Sequence, residues 1–521
     1  LKALRFILLL WMVMLAAALA CNMPVRQAPS YLSPADLKGT LQAIRNQKTS
    51  VESPGDFVED PESHFPGLAT ATQSSHSQQP TPLPTPSLPE GWMAYFAQSG
   101  DTLPALSARF NVLPSEITSL EPVPADGYLS PGQLLLIPDR LENVLTSSAV
   151  LPDSEIIYSP STVGFSVDKY LEQTNGFLRS YQEEVKGEIL TGAQIVEKVA
   201  VLTSTNPRAL LALLEFRSGW VLGQPETLGD LNQPLGFNIP DQQGLYRELS
   251  IAANQLNSGY YHWRDGTITE LSFPNKTKAR IAPALNAGTA AVQRLFSFFY
   301  SPEQWLEELY GPGGFTELYV EMFGDPWERA AIVEPILPEN SVQPPLELPF
   351  LPGERWSLTG GPHYSWNAGS PRGALDFSAV EGGGGCKVSS AWVTASAPGL
   401  VVRTGEGIVV IDLDGDGYEQ TGWVLFYLHI AEKERVKTGQ QVMQDQRLGH
   451  PSCEGGFSTG NHVHIARKLN GEWIPADGPL PFTLSGWEAY AGEKNYSGGL
   501  HKDGLSVTAN PSGSQVSSIT R

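Results

Sequence analysis

The sequence predicts a chain of several domains: a short βααβ module, an all-α middle and a strand-rich last third. Three observations predict it. Residues 22–91 are rich in Pro, Ser, Gln and Thr, end in QQPTPLPTPSLPEG (78–91), and cannot bury a core. Between about 160 and 335, apolar residues recur with a helical period. Past residue 400, runs such as GIVVI and WVLFYL read as strands.

The N-terminus reads as an export signal. Lys2 and Arg5 precede an apolar stretch from Phe6 to Ala20, too short to span a bilayer comfortably, followed by Cys21. Residues 1–21 are therefore expected to be a signal peptide. ALAC (18–21) resembles a bacterial lipobox, which implies a lipid on Cys21 as the one membrane attachment. Residues 22–91 would then be a tether from the outer face of the cytoplasmic membrane into the wall. Cys386 and Cys453 are the two remaining cysteines, and in an exported protein they read as one disulfide. A net charge of −21 without a basic patch argues against nucleic acid as a partner.

In 92–140, QSGDTL opens a helix at Asp101 or Thr102. LPALSARF fits a short amphipathic helix, LPSEITSL a second, and QLLLIP a closing strand. This string resembles a LysM domain, which implies binding of N-acetylglucosamine in peptidoglycan or chitin. In 160–335, Val167, Tyr170, Leu171, Thr174, Phe177, Leu178 and Tyr181 keep a 3.6-residue period. Asn206-Pro207 starts a further helix in the favoured order of cap and proline. NPRALLALLEFRSGW (206–220), with LNAGTAAVQRLF (285–296), resembles the lysozyme-like fold of lytic transglycosylases, whose helix ends in Glu-Ser-Gly. Arg217 stands where that acid would be, and Glu215 points about 200° around the helix. The domain is expected to be an inert or glycan-binding relative.

Five of the nine histidines lie between His363 and His464. HYSWNAGSPRGALDFS (363–378) supplies His363 and Asp376, and GNHVHIARK (460–468) supplies His462 and His464. A catalytic zinc takes three nitrogen or oxygen ligands and keeps its fourth position open. Alternate strand residues share a face, so His462 and His464 would enter one cleft while Val463 turns into the core. His429, after the apolar run WVLFYL, would arrive from a neighbouring strand. No HExxH helix is present, which excludes a thermolysin-type site. IDLDGDGYEQ (411–420) begins like a calcium loop with Asp412, Asp414 and Asp416. Its twelfth position is Trp423 and its flanks are strands, so a solvated hairpin turn is the favoured reading.

Residues 352–480 resemble the M23 peptidases, secreted zinc endopeptidases of peptidoglycan that include lysostaphin and the staphylolytic and beta-lytic enzymes. Most members read HxxxD, and here the residue four before Asp376 is Arg372. The staphylolytic and beta-lytic branch places its first histidine upstream in a GG-x-H context, and GGPH (360–363) is similar to it. The resemblance implies an antiparallel all-β domain over 350–485, with 486–521 as a C-terminal extension. It implies Zn2+ held by His363, Asp376 and His464, with His429 and His462 as the catalytic pair, and His450 is read as structural. The function implied is hydrolysis of stem or bridge peptides of peptidoglycan at the cell surface. Two alternatives stay open: a noncatalytic wall-binding scaffold or amidase activator, and a glycan-cleaving enzyme acting through the middle domain.

Overall fold

The computed structural model describes residues 88, 90–240, 242–380 and 385–521. The expected signal peptide, lipobox Cys21 and nearly all of the tether lie outside the described residues. Among the described residues no helix is long and apolar enough to cross a membrane.

The first module runs β1 (Trp92–Phe96), α1 (Leu103–Phe110), β2 (Thr118–Ser119) and β3 (Leu134–Pro138), with β3 central and antiparallel to both neighbours. Thr102 caps α1 by accepting from the Ala105 amide, as the SGDTL segment foretells. The second expected helix is a correction. It is one 3-10 turn, Pro114–Glu116, running into β2. Arg109, fully buried, donates to Asp101 within the module and to the Trp263 carbonyl outside it, at 2.8 and 3.0 Å. The module is therefore clamped to the next domain.

That domain holds α2 (Val167–Glu172), α3 (Gly192–Thr203), α4 (Pro207–Ser218), α5 (Leu228–Asn232), α6 (Leu245–Arg264), α7 (Ala287–Ser297), α8 (Pro302–Tyr310), α9 (Phe315–Phe323) and α10 (Pro326–Val333). It is not all-α. Two hairpins interrupt it, β4 (Gln182–Val185) with β5 (Glu188–Thr191), and β6 (Glu270–Ser272) with β7 (Lys278–Arg280). The period over 167–181 is likewise divided between α2 and a 3-10 turn, Phe177–Ser180, because Gly176 passes so close to the Val221 carbonyl that a Cβ there would lie 2.0 Å from it. The core also starts earlier than residue 160, taking in Val150, Leu151, Ile156 and Ile157. Helix α4 follows the sequence closely. Asn206 caps it, Pro207 opens it, and Gly219 closes it in the left-handed conformation.

The last domain contains β8 (Arg355–His363), β9 (Ala374–Ala379), β10 (Val393–Thr394), β11 (Gly399–Gly405), β12 (Ile408–Asp412), β13 (Trp423–Leu428), β14 (Gln441–Val442), β15 (Arg447–Gly449), β16 (Val463–Leu469), β17 (Glu472–Trp473), β18 (Thr483–Leu484), β19 (Trp487–Ala491), β20 (Gly498–Lys502), β21 (Leu505–Thr508) and β22 (Ser518–Thr520). Its main sheet is antiparallel, in the order β14-β11-β12-β13-β16-β9-β8-β22, with β17 beside β16. Residues 486–521 are no extension, since β18 to β21 form a second sheet and β22 pairs with β8. The domain also recruits Leu346, Leu348 and Phe350 ahead of the expected start.

Alternation along the strands gives the main sheet two buried faces. Val409, Ile411, Leu425, Tyr427, Val463 and Ile465 pack into the core of the β domain itself. Ile408, Val410, Val424, Phe426, Ala466 and Trp473 join the core of the helical domain. The helical domain thus sits on one half of the face that also carries His464 and Asp376.

Candidate metal centre

Four strands deliver the site. In β8, Gly360 lies opposite Asp376 of β9, and Leu428 of β13 lies opposite His464 of β16, which itself pairs with Asp376. The glycines of GGPH have a steric cause. A Cβ on Gly360 would stand 2.5 Å from the Asp376 carboxylate, and one on Gly361 2.8 Å from the Ser497 carbonyl. His429 follows β13 with φ 66°, and this left-handed residue turns the chain out of the strand at the cleft.

His363 Nε2 lies 3.0 Å from His464 Nδ1 and 3.2 Å from Asp376 Oδ1, and His464 Nδ1 lies 3.3 Å from the same oxygen. All three residues are buried. Backbone carbonyls fix the tautomers. His363 donates through Nδ1 to Gly361 O at 2.8 Å, and His464 through Nε2 to Ser365 O at 3.0 Å. Their inward nitrogens are therefore lone-pair donors in the neutral rings. Two lone pairs and a carboxylate oxygen converge, and Asp376 Oδ1 has no hydrogen-bond partner although fully enclosed. Such a set is repulsive without positive charge in its midst, and ligands about 2.0–2.1 Å from a tetrahedral ion fall at about this mutual spacing.

Protonation equilibria show the same demand. Burial alone would push His363 down, yet the Asp376 carboxylate raises it overall. Burial would raise Asp376, yet His363 and His462 hold it well below the usual carboxylate range. Burial lowers His464.

The expected catalytic pair stands beside these donors. His462 donates through Nδ1 to Gly460 O at 2.8 Å, which leaves Nε2 facing Asp376 Oδ1 at 3.6 Å. His429 donates through Nδ1 to Glu454 O at 2.8 Å, and its ring centre lies 4.4 Å from that of His462. Burial, with His462 and His464 nearby, pushes His429 down to about 3, so its ring is neutral. His450 is apart, donating to Ala391 O and pairing with Glu434. The structure thus brings together all five residues singled out in the sequence.

It adds one that sequence reasoning missed. Tyr496, from the loop between β19 and β20, stacks on His363 at 4.1 Å between ring centres. No motif marks it. Arg372, which departs from the HxxxD pattern, holds that loop through Gly492 O and Lys494 O, both at 2.9 Å. Cys386 and Cys453 are joined as a disulfide. The acidic loop 412–417 is the expected hairpin turn between β12 and β13. Asp412 departs from the solvated reading, being buried and accepting from the amides of Asp414, Gly415 and Gly417, while Asp414 and Asp416 are exposed.

In the helical domain the side chains of both Glu215 and Arg217 have partners. Glu215 accepts from the amides of Val221 and Leu222 at 2.8 Å, and the Arg217 guanidinium lies over the Phe299 ring and donates to Leu235 O.

Comparison with known proteins covers both large domains. The family profile described as LasA, N-terminal domain, matches residues 149–337, the stretch read as lysozyme-like. Protease LasA of Pseudomonas aeruginosa (strain UCBPP-PA14) is 25% identical over 350 residues, 64% of this chain and 77% of that protein. Beta-lytic metalloendopeptidase of Achromobacter lyticus is 31% identical over 159 residues, 29% of this chain and 39% of that protein. A solved structure described as a novel M23 metalloprotease, pseudoalterin, from the deep sea aligns at 24% identity over 32% of this chain and 96% of that one, with a TM-score of 0.28. The chain thus matches the LasA N-terminal family over residues 149–337 and is similar to Protease LasA and, over 159 residues, to a beta-lytic metalloendopeptidase.

Proposed function

We propose that the protein is a zinc endopeptidase that hydrolyses stem or bridge peptides of peptidoglycan. The observation that carries the reading is the convergence of His363 Nε2, His464 Nδ1 and the partnerless Asp376 Oδ1 beside the rings of His462 and His429. Zinc, when held by these three residues, supplies Lewis-acid polarisation of a peptide carbonyl and activation of water. His462 Nε2 takes up a proton from the attacking water and returns it to the leaving amine, while the neutral His429 ring beside it completes the catalytic pair facing the developing oxyanion. The carbonyls of Gly460 and Glu454 keep both rings in the tautomer this requires.

The module at 92–140 is assigned to glycan binding by its LysM-like order of residues. The sequence of 1–91 supports export, a lipid on Cys21 and a tether that lets the enzyme work in the wall. The helical domain acts as a noncatalytic partner, in keeping with the engaged side chains of Glu215 and Arg217.

Digestion of purified peptidoglycan tests the reading. Mass spectrometry of the soluble products is expected to show new peptide amino termini on intact glycan strands, absent with His464→Ala. Anhydro-muramyl ends that persist in His464→Ala and vanish in Glu215→Ala would move the chemistry to the helical domain. A wild-type protein that holds zinc and releases nothing would leave a binding scaffold.

A further inference from the structure

The centre opens into a groove of about 1090 Å³ that runs along β8 and β9 and reaches Arg355. Arg355, Ser357 and Thr359 alternate along β8 and line the groove, while Trp356 and Leu358 between them are buried in the core. Ser378, opposite Ser357 on β9, continues the floor. Residues 511–515, held in place by the pairing of β22 with β8, form one wall. The floor is a stripe of small hydroxyl side chains, wide enough for an extended chain and able both to donate to and accept from its backbone.

Charge in this groove is sparse and one-sided. The chain carries a net charge of −21, yet among the described residues the only carboxylate lining the groove is Asp376, committed to the metal-ligand set. Arg355 is the only Lys or Arg among the lining residues. It is exposed, and among the described residues its guanidinium makes no ion pair or side-chain hydrogen bond. Three other arginines of the β domain have polar partners. Arg403 binds Glu419, Arg521 binds Glu347 and Asp445, and Arg372 binds backbone carbonyls. A planar fork of donors without a partner, at the end of a groove that leads to the metal centre, is built to receive an oxyanion.

We propose that Arg355 is a specificity residue that binds a carboxylate of the peptide substrate. Gly360, opposite Asp376, is five residues along β8 from Arg355, about 16 Å at the rise of a strand. Allowing for the reach of the side chain, the carboxylate lies about three to five residues from the bond that is cut. This inference deepens the peptidase reading and rests on it. The carboxylate is either the free terminus of a short peptide or an acidic side chain within it, and the same guanidinium serves both.

The test uses the full-length zinc-loaded enzyme and two pairs of fluorogenic peptides. One pair differs only in a terminal carboxylate against a carboxamide, the other only in an internal Glu against Gln four residues from the cleaved bond. Wild type is expected to favour the acidic member of at least one pair by about tenfold in kcat/KM, carried by KM, as a charged hydrogen bond at an exposed site implies. Which pair responds identifies the source of the carboxylate. In Arg355→Ala the preference collapses to near one, Arg355→Lys keeps part of it, and Arg355→Glu inverts it. Raising the salt shrinks the wild-type preference. Equal rates on both members of both pairs in wild type, or a preference that survives in Arg355→Ala, overturns the inference. If zinc-loaded wild type cleaves none of the peptides, the peptidase reading fails instead. Calorimetric binding of the same pairs to wild type and Arg355→Ala then decides the subsite without turnover, a tighter acidic member lost in the variant supporting it and equal binding refuting it.

Discussion

His462 and His464 are two residues apart, and the carbonyl each ring donates to separates their roles. His464 gives Nε2 to Ser365 O and so turns Nδ1 inward among His363 and Asp376, whereas His462 gives Nδ1 to Gly460 O and offers Nε2 from the rim. The first is part of the donor set and the second a neighbour to it. Asp376→Ala and His464→Ala are therefore expected to drop bound zinc from about one per chain to near none. His462→Ala is expected to keep zinc and lose turnover by about 10²–10⁴-fold, the usual weight of a positioned acid-base group. Elemental analysis and rate measurements on the same samples check both, and loss of zinc in His462→Ala would make it a ligand.

Among the elements, the loop between β8 and β9 does unexpected work. Its Arg372 reaches Pro362 O, Gly492 O and Lys494 O and so fixes the loop that lays Tyr496 over His363. Where relatives with HxxxD place a ligand, this chain places a clamp. Arg372→Ala is expected to lower unfolding free energy by about 1–3 kcal/mol, from hydrogen bonds made by a charged donor, while zinc content stays at wild-type level. Denaturant titration and metal analysis check it, and zinc loss would mean that Arg372 supports the ligands directly. Several elements were legible beforehand: the caps of α1 and α4, the strands β12, β13 and β16, and the inward turn of Val463. The hairpins β4-β5 and β6-β7 were not, because short polar strands such as QEEV and KAR carry no apolar alternation for a pattern to find.

At the scale of the molecule, one buried cation joins three domains. Arg264 of α6 donates to Ser99 O of the first module, to Asp153 of the helical domain and to Glu472 of the β domain, the latter two at 3.1 and 3.2 Å. Two acids share one guanidinium there. Burial pushes Glu472 up to about 7, against the pull of Arg264 and with a push from Asp153. The folded chain thus holds a proton on Glu472 that the unfolded chain, with an ordinary value of about 4.3, gives up. The resulting stability is fully present below about pH 4.3 and is lost as pH rises to about 7. Melting temperatures of full-length wild type and Glu472→Gln are expected to diverge over that window, with wild type falling relative to the variant as pH rises. Parallel curves would show that the seam does not titrate.

The sequence by itself determined which donor residues meet at the centre. Donor residues with few structural alternatives, the glycines of GGPH and the spacing of HVH are local features, and local features survive in one dimension. It also determined the capped helix α4 and the oxidised pair of cysteines. Only the tertiary structure decided what depends on contacts between distant segments. The face of the sheet on which the helical domain rests follows from packing Phe426 and Trp473 against it, and the arrival of Tyr496 on His363 from a loop 133 residues later follows from the second sheet. The joining of residues 486–521 to the domain has the same origin, because β22 finds its partner β8 across some 160 residues of chain, at a separation no periodicity encodes.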